Sequence, residues 1–286
     1  MYKYVSGYLL ADAPFNHPLS KDKTRAKFTG SMWQLVIHTT MAFWEVCLLW
    51  DEPWVSHPHT CFEPEPYSFV PKYSLRIFFI AQIAVWVLTC FSHRFNSDAH
   101  AHKDYFVMYL HHLATIGLVT VAYYDNQSRI GIVVLLIHDV SDIGIDLLKT
   151  MNYLRLEGMK SFFIVEIVYA LSIALWVYFR LYLFPVDIFF NGTFFALDLR
   201  GDVTTSWGTR PLLRVLENLF TRESYQYQHF TWSGGICNGL LFTLLVMHVW
   251  WFALLLRILF RMIRTNKPHE AGEAEYEGGS DDEHED

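Results

Sequence analysis

The stretch "HHLATIGLVTVAYYDNQSRIGIVVLLIHDVSDIGIDLLK", His111 to Lys149, decides the fold. It reads as two apolar helices joined by a short polar link, yet it carries three histidines, four aspartates, an arginine and a lysine. Working outward, four further apolar runs appear, and with these two the candidate spans are roughly 31–50, 74–92, 105–124, 130–149, 161–184 and 236–262. A helix crossing the hydrocarbon layer needs about 20 mostly apolar residues. Lipid offers no partners for unpaired backbone groups, so segments of this length are expected to be helical. With 52% hydrophobic residues and 10 tryptophans, the composition points the same way. The expectation is an all-α integral membrane protein.

Charge is distributed unevenly. The net charge of −7 comes from the tail "HEAGEAEYEGGSDDEHED", which holds nine acidic residues and no lysine or arginine. Such a tail cannot bury enough apolar surface to fold, so residues 265–286 are expected to be disordered; within it Ser280 precedes three acids, a pattern that acidophilic kinases accept. The chain therefore divides into an N-terminal arm (1–30), a membrane domain (31–264) and the tail. The arm holds Gly7, Pro14 and Pro18 and is expected to be loosely structured or interfacial, with no cleavable leader. Lysine and arginine, which set orientation, collect at both termini and in the second and fourth loops (Arg94, Lys103, Arg155, Lys160). The first loop holds Lys72 against Asp51, Glu52, Glu63 and Glu65. An even number of spans with both ends cytoplasmic satisfies count and charge together. Asn191-Gly192-Thr193 and Asn126-Gln127-Ser128 are glycosylation sequons on the opposite side. Cys47, Cys61, Cys90 and Cys237 have no disulfide-scaffold spacing and read as free thiols.

Ionised side chains inside a span cost about 2.5–3.5 kcal/mol each on insertion scales, so the polar groups should face a shared interior. At about 100° per residue, with His138 at zero, Asp139 falls near 100°, Asp142 near 40°, Asp146 near 80° and Lys149 near 20°. One face of the fourth span therefore carries all five. On the third span His111 and Thr115 share a face, with His112 on its flank. The short link makes the two spans antiparallel neighbours, and counting from the basic ends puts His111 and Asp142 at similar depth. Three chemistries fit such a cluster. Polar groups can act as glue between helices, though glue does not need several carboxylates. His138 with Asp142, or Asp142 with Asp146, could ligate a cation, but HxxxH and HxxHH boxes are missing; His57, His59, His100 and His102 sit in loops. Acid–base or nucleophilic catalysis by histidine, oriented by a carboxylate, is the third.

The stretch resembles the signature of the TLC-domain family, and within it the ceramide synthases, the sphingoid-base N-acyltransferases. That signature, HHxxTxxLxxxSYxxNxxRxGxxxxxxHDxSDxxLExxK, is matched in register by His111, His112, Thr115, Leu118, Tyr123, Asn126, Arg129, Gly131, His138, Asp139, Ser141, Asp142 and Lys149. Ala122, Ile145 and Asp146 stand where the family has Ser, Leu and Glu. The last span and "KFTGSMWQLVIHTTMAFWE" are also similar to the family, so the resemblance covers about residues 25–265. Many members have a further span ahead of the domain, and some a homeobox-like segment; neither is evident here.

The resemblance implies a six-helix barrel in the endoplasmic reticulum membrane, open toward the cytoplasm. It also implies transfer of an acyl group from fatty acyl-CoA to the amine of a long-chain sphingoid base. His111, His112, Asp139 and Asp142 are then the expected catalytic residues; Thr115, Tyr123, Asn126, Arg129, His138, Asp146 and Lys149 are the expected substrate-binding set. Two routes stay open: His111 or His112 as base for direct attack by the amine, or as nucleophile through an acyl-imidazole, with Asp142 as the supporting carboxylate. Acyl-CoA enters as co-substrate, with no resident cofactor or metal expected. The partners are membrane lipids and the two reactants, with room for a homodimer or small accessory subunit and nothing pointing to nucleic acid. The alternative of another class is a non-catalytic TLC-domain lipid carrier, sensor or membrane-protein chaperone.

Overall fold

The structure, a computed structural model, describes residues 18–52, 55, 72–95, 105–124, 127–154, 156, 159, 162–190 and 232–265. Residues 1–17 of the expected arm, the expected acidic tail, both sequons' asparagines, Cys61, most of the first loop and the segment before the last span lie outside the described residues. The described chain is helical, with no strand among the described residues. We name the helices α1 (Pro18–Leu49), α2 (Tyr73–Phe95), α3 (Tyr105–Tyr124), α4 (Ser128–Tyr153), α5 (Ile164–Trp176), which widens into a π-helical segment (Val177–Phe190), and α6 (Trp232–Thr265).

The expected boundaries hold to within a few residues for α2, α3, α4 and α6, and two expectations need correction. A loose arm through residue 30 is not what the chain forms: helix begins at Pro18, so residues 18–30 belong to α1. Proline suits the first helical turn, where its missing N–H has no partner in any case, and "KDKTRAK" after it is mostly good helix-forming sequence. The fifth span runs past its expected end to Phe190 by changing its winding. Pro185 lies inside this stretch, where it removes a backbone donor and crowds the preceding turn of an α-helix. Extended π winding is rare and is found most often at functional sites.

Packing partners close the helices into a ring. Helix α1 packs against α2, α2 against α3, α3 against α6, α6 against the π segment, α5 and the π segment against α4, and α4 back against α1. Outside, the ring presents large apolar side chains: Phe43 is 70%, Leu88 63% and Phe106 71% exposed. Contiguous exposure of this kind is a lipid face. Five helices are long and apolar enough to cross a membrane, namely Lys27–Leu49, Tyr73–Phe95, Tyr105–Tyr124, Ile164–Phe190 and Gly235–Arg264. Helix α4 is as long but carries Arg129, Asp139, Asp142 and Asp146. Among these helices it is the polar one, and it turns those groups toward its neighbours. The protein is thus an all-helical integral membrane protein. Where α1 and α2 face the first loop, Lys72 donates to Glu52, a contact that raises the pKa of this exposed ammonium.

Inside the ring, apolar and polar side chains separate by level. At the end that carries the α3–α4 connection, Ala114, Leu118, Val134, Ile137, Phe184, Ile188, Leu241 and Leu244 pack together. Beside them lie Met41, Phe78, Phe79, Val119, Ala122, Ile132 and Leu135. The polar groups begin one turn beyond this apolar plug. Helices α2 and α3 crowd α4 near the α3–α4 connection: a Cβ added at Gly131 would sit 3.1 Å from the Phe79 ring and 3.2 Å from Ala122 Cβ. A larger side chain there must push α4 off α2 and α3. Gly131→Leu is expected to destabilise the fold by about 1–3 kcal/mol, read as a lower denaturation midpoint of the detergent-solubilised protein.

Candidate active site

Helix α3 brings its two imidazoles to the inside of the ring. His111 and His112 are each 5% exposed. Trp86 of α2 meets both, its ring centroid 6.0 Å from His111 and 5.7 Å from His112. Trp251 of α6 stands edge-on to His111 at 5.2 Å. Among the described residues neither Nδ1 atom has a hydrogen-bond partner. Two buried imidazoles whose Nδ1 atoms meet aromatic surroundings rather than hydrogen bonds are unusual, because buried polar groups are nearly always paired. Thr115, one turn along the same face, is also buried with its hydroxyl unpartnered.

Helix α4 supplies the opposite wall. The His138 ring lies 6.4 Å from that of His111 and almost parallel to it. His138 Nδ1 donates to Val134 O at 2.7 Å, and its Nε2 stands 3.1 Å from Nε2 of His248 on α6. The carboxylates on this face all have partners from other helices. Asp142 accepts from Arg180 Nη2 at 2.6 Å. Asp146 accepts from His38 Nδ1 of α1 at 2.7 Å. Asp139 accepts from Gln82 Nε2 of α2 at 3.2 Å, and the same nitrogen reaches Glu45 Oε1 of α1 at 3.3 Å.

Arg180 ties these elements together. It is 1% exposed and projects from the π segment. Its Nε donates to Ser141 Oγ at 2.6 Å, Nη1 to His248 Nε2 at 3.0 Å, and Nη2 to His138 O at 3.1 Å as well as to Asp142. The guanidinium lies 4.8 Å over the Trp176 ring. One planar fork thereby fixes the His138–Asp142 turn and the α6 histidine at once, a geometry that suits arginine and not lysine.

The expected site residues thus divide. His111, His112, Thr115, His138, Asp139, Asp142 and Asp146 converge within the ring. Tyr123 does not join them: it packs against Phe79 at the connection end, about 18 Å along α3 from His111 at 1.5 Å per residue. Arg129 lies about 13 Å along α4 from His138 by the same rise. Lys149 continues the polar face one turn past Asp146, and Asn126 lies outside the described residues, as do Lys103, Arg155 and Lys160. The expected support of His111 by Asp142 is also not formed, because Arg180 occupies that carboxylate. His38, Glu45, Gln82, Arg180 and His248 complete the network without belonging to the expected set. Each is a polar residue within an apolar span, which is signal enough to suspect an inward-facing role. No group of three or more His, Cys, Asp or Glu among the described residues is arranged to hold a metal ion.

The family model of the TLC domain matches residues 27–257. The chain belongs to the TLC-domain family. Among curated relatives, Ceramide synthase 5 of Homo sapiens is 26% identical over 271 residues, covering 94% of this chain and 60% of the human protein. ASC1-like protein 3 of Oryza sativa subsp. japonica is 28% identical over 278 residues, covering 96% of this chain and 85% of the rice protein. Ceramide synthase LOH2 of Arabidopsis thaliana is 25% identical over 272 residues, covering 92% and 80%. The match spans nearly all of this chain but only about three-fifths of the human relative.

Proposed function

We propose that this TLC-domain protein is a ceramide synthase, which transfers a fatty acyl group from acyl-CoA to the amine of a long-chain sphingoid base. The observation that carries the reading is the pair of buried imidazoles, His111 and His112, whose Nδ1 atoms lack partners among the described residues while carboxylates and an arginine are ordered around them. A ring nitrogen without a protein hydrogen bond is available to a reactant. The names of the relatives favour the same chemistry.

His111 acts in one of two ways. As base it takes a proton while the amine nitrogen attacks the thioester carbonyl; the C–S bond breaks and the CoA thiolate leaves to be protonated. As nucleophile it forms the C–N bond to the acyl carbon first and expels the thiolate; the amine then displaces the imidazole. Asp139 supplies negative field toward an imidazolium in a dry interior, while Asp142, paired with Arg180, holds the turn that carries His138. Thr115 and His138 contact substrate beside His111, and Asp146 does so two turns farther along α4. Both substrates carry long alkyl chains, which the surrounding apolar helices accommodate. The basic residues at the ends of the spans support an orientation with both termini cytoplasmic, and the names of the relatives favour a six-span barrel in the endoplasmic reticulum membrane, open to the cytoplasm.

The test is an assay of purified protein with a labelled sphingoid base and a panel of acyl-CoAs of different length. An N-acyl product with at least one chain length, and a sharp preference among lengths, is expected. No amide with any of them would overturn the proposal in favour of a non-catalytic carrier, sensor or chaperone.

A further inference from the structure

Four carboxylates line the seam where α4 meets its neighbours, and their partners are not alike. Asp142 has the guanidinium of Arg180 and Asp146 has the imidazole of His38. Glu45 and Asp139 lie within hydrogen-bond reach of each other and share one uncharged amide, Gln82 Nε2 donating to both at 3.3 and 3.2 Å, while His38 and Arg180 act on Asp139 from farther off. Glu45 is 0% exposed, Gln82 1% and Asp139 1%. The second oxygen of Glu45, Oε2, is buried with no N–H or O–H donor among the described residues. Carboxylates taken out of water without a cation are strongly disfavoured. A buried acceptor left unsatisfied beside them marks a place where a donor belongs.

We propose that Glu45 and Asp139, bridged by Gln82, seat a long-chain primary ammonium, the amine end of the sphingoid base. The inference rests on the N-acyltransferase reading and adds to it where one substrate sits. An ammonium has three N–H donors and supplies a direct cationic contact, which among the described residues is made to Asp142 and Asp146 but not to this pair. The setting also fits the rest of such a molecule. One turn away on each helix are Met41, Phe78, Phe79 and Leu135 of the apolar cluster, surroundings that suit an alkyl chain. On the other side lie the imidazoles: Asp139 follows His138 in sequence, and Trp86, one turn beyond Gln82 on α2, touches both His111 and His112.

The seat also has a chemical use. A protonated amine has no lone pair to attack with. The carboxylate pair takes one proton, so R–NH3+ becomes R–NH2 and one carboxylate becomes a carboxylic acid. The amine nitrogen then bonds to the acyl carbon, its second proton leaves with the CoA sulfur as a thiol, and the amide keeps the third. The carboxyl proton later passes to solvent, so the sum is ammonium plus thioester giving amide, thiol and one proton.

The test is Glu45→Gln in the full chain, a change that keeps size and removes the charge. The KM for the sphingoid base is expected to rise at least tenfold, while the KM for acyl-CoA stays within twofold. A second readout needs no activity: thermal stabilisation of the detergent-solubilised protein by a long-chain amine, compared with the alcohol of equal length. The wild type is expected to respond to the amine and not to the alcohol, and Glu45→Gln to neither. Unchanged amine affinity in Glu45→Gln would overturn the proposal. So would equal stabilisation of the wild type by the alcohol, or by sodium or calcium ions alone. A wild-type chain that makes no amide but binds the amine through Glu45 would refute the acyltransferase reading and leave this seat standing.

Discussion

His111→Ala is expected to lower N-acyl transfer by at least about a hundredfold, since positioned acid–base catalysis alone contributes roughly 10²–10⁴. The size of the effect follows from where the ring sits. His111 is enclosed by Trp86, Trp251, His112 and His138, so water entering the space left by alanine cannot reproduce a nitrogen held at that point. Its folding cost should be smaller, because the Nδ1 atom has no protein hydrogen bond to lose and the main loss is packing. A variant that inserts and unfolds near the wild-type midpoint but makes little amide therefore reports on chemistry. The two routes separate when acyl-CoA is supplied without amine and the protein is digested for mass spectrometry. An acyl group on the peptide containing His111 in the wild type, absent from the variant, selects the nucleophilic route. Wild-type turnover by His111→Ala would sink both.

The polar face of α4 is legible from residue spacing because a single helix's periodicity defines it: residues 138, 139, 142 and 146 fall on one side by arithmetic. Pairing across helices is another matter. Consecutive spans are easily taken as neighbours, yet α1 packs along α4, three spans later, and this brings His38 to Asp146 and Glu45 to the level of Asp139. His38 and Glu45 are seven residues apart, which puts them on one face of α1 and matches the seven residues between Asp139 and Asp146 on an antiparallel partner. That correspondence is present in the sequence, but it becomes legible only once α1 is known to face α4. Arg180 is harder still. It is visible as a charge in an apolar span, but the π winding of its segment departs from the 3.6-residue period, so its direction cannot be derived by counting. The expected pairing of Asp142 with His111 fails for the same reason. With the direction of Arg180 unknown, Asp142 is left free to serve a histidine.

Arg180→Met tests whether that arginine organises the site or merely occupies it. Removing one member of a buried ion pair leaves the other uncompensated and typically costs about 3–5 kcal/mol. Here the loss falls at the upper end, because the guanidinium also donates to Ser141 Oγ, His138 O and His248 Nε2. The variant should unfold at a clearly lower denaturant concentration in detergent. Removing the stranded charge as well, in Arg180→Met with Asp142→Leu, should recover most of that stability, since a buried pair replaced by apolar groups of similar size is often neutral or better. Activity should not recover with it. The double variant restores burial but leaves the turn from His138 to Asp142 without its clamp and His248 without its donor. His138 is then free to shift relative to His111, and small displacements of catalytic groups cost rate far more than they cost stability. A double variant that regains both stability and amide formation would show that charge neutralisation was the whole of Arg180's role. One that regains stability alone would show that the fork of hydrogen bonds holds the reacting geometry.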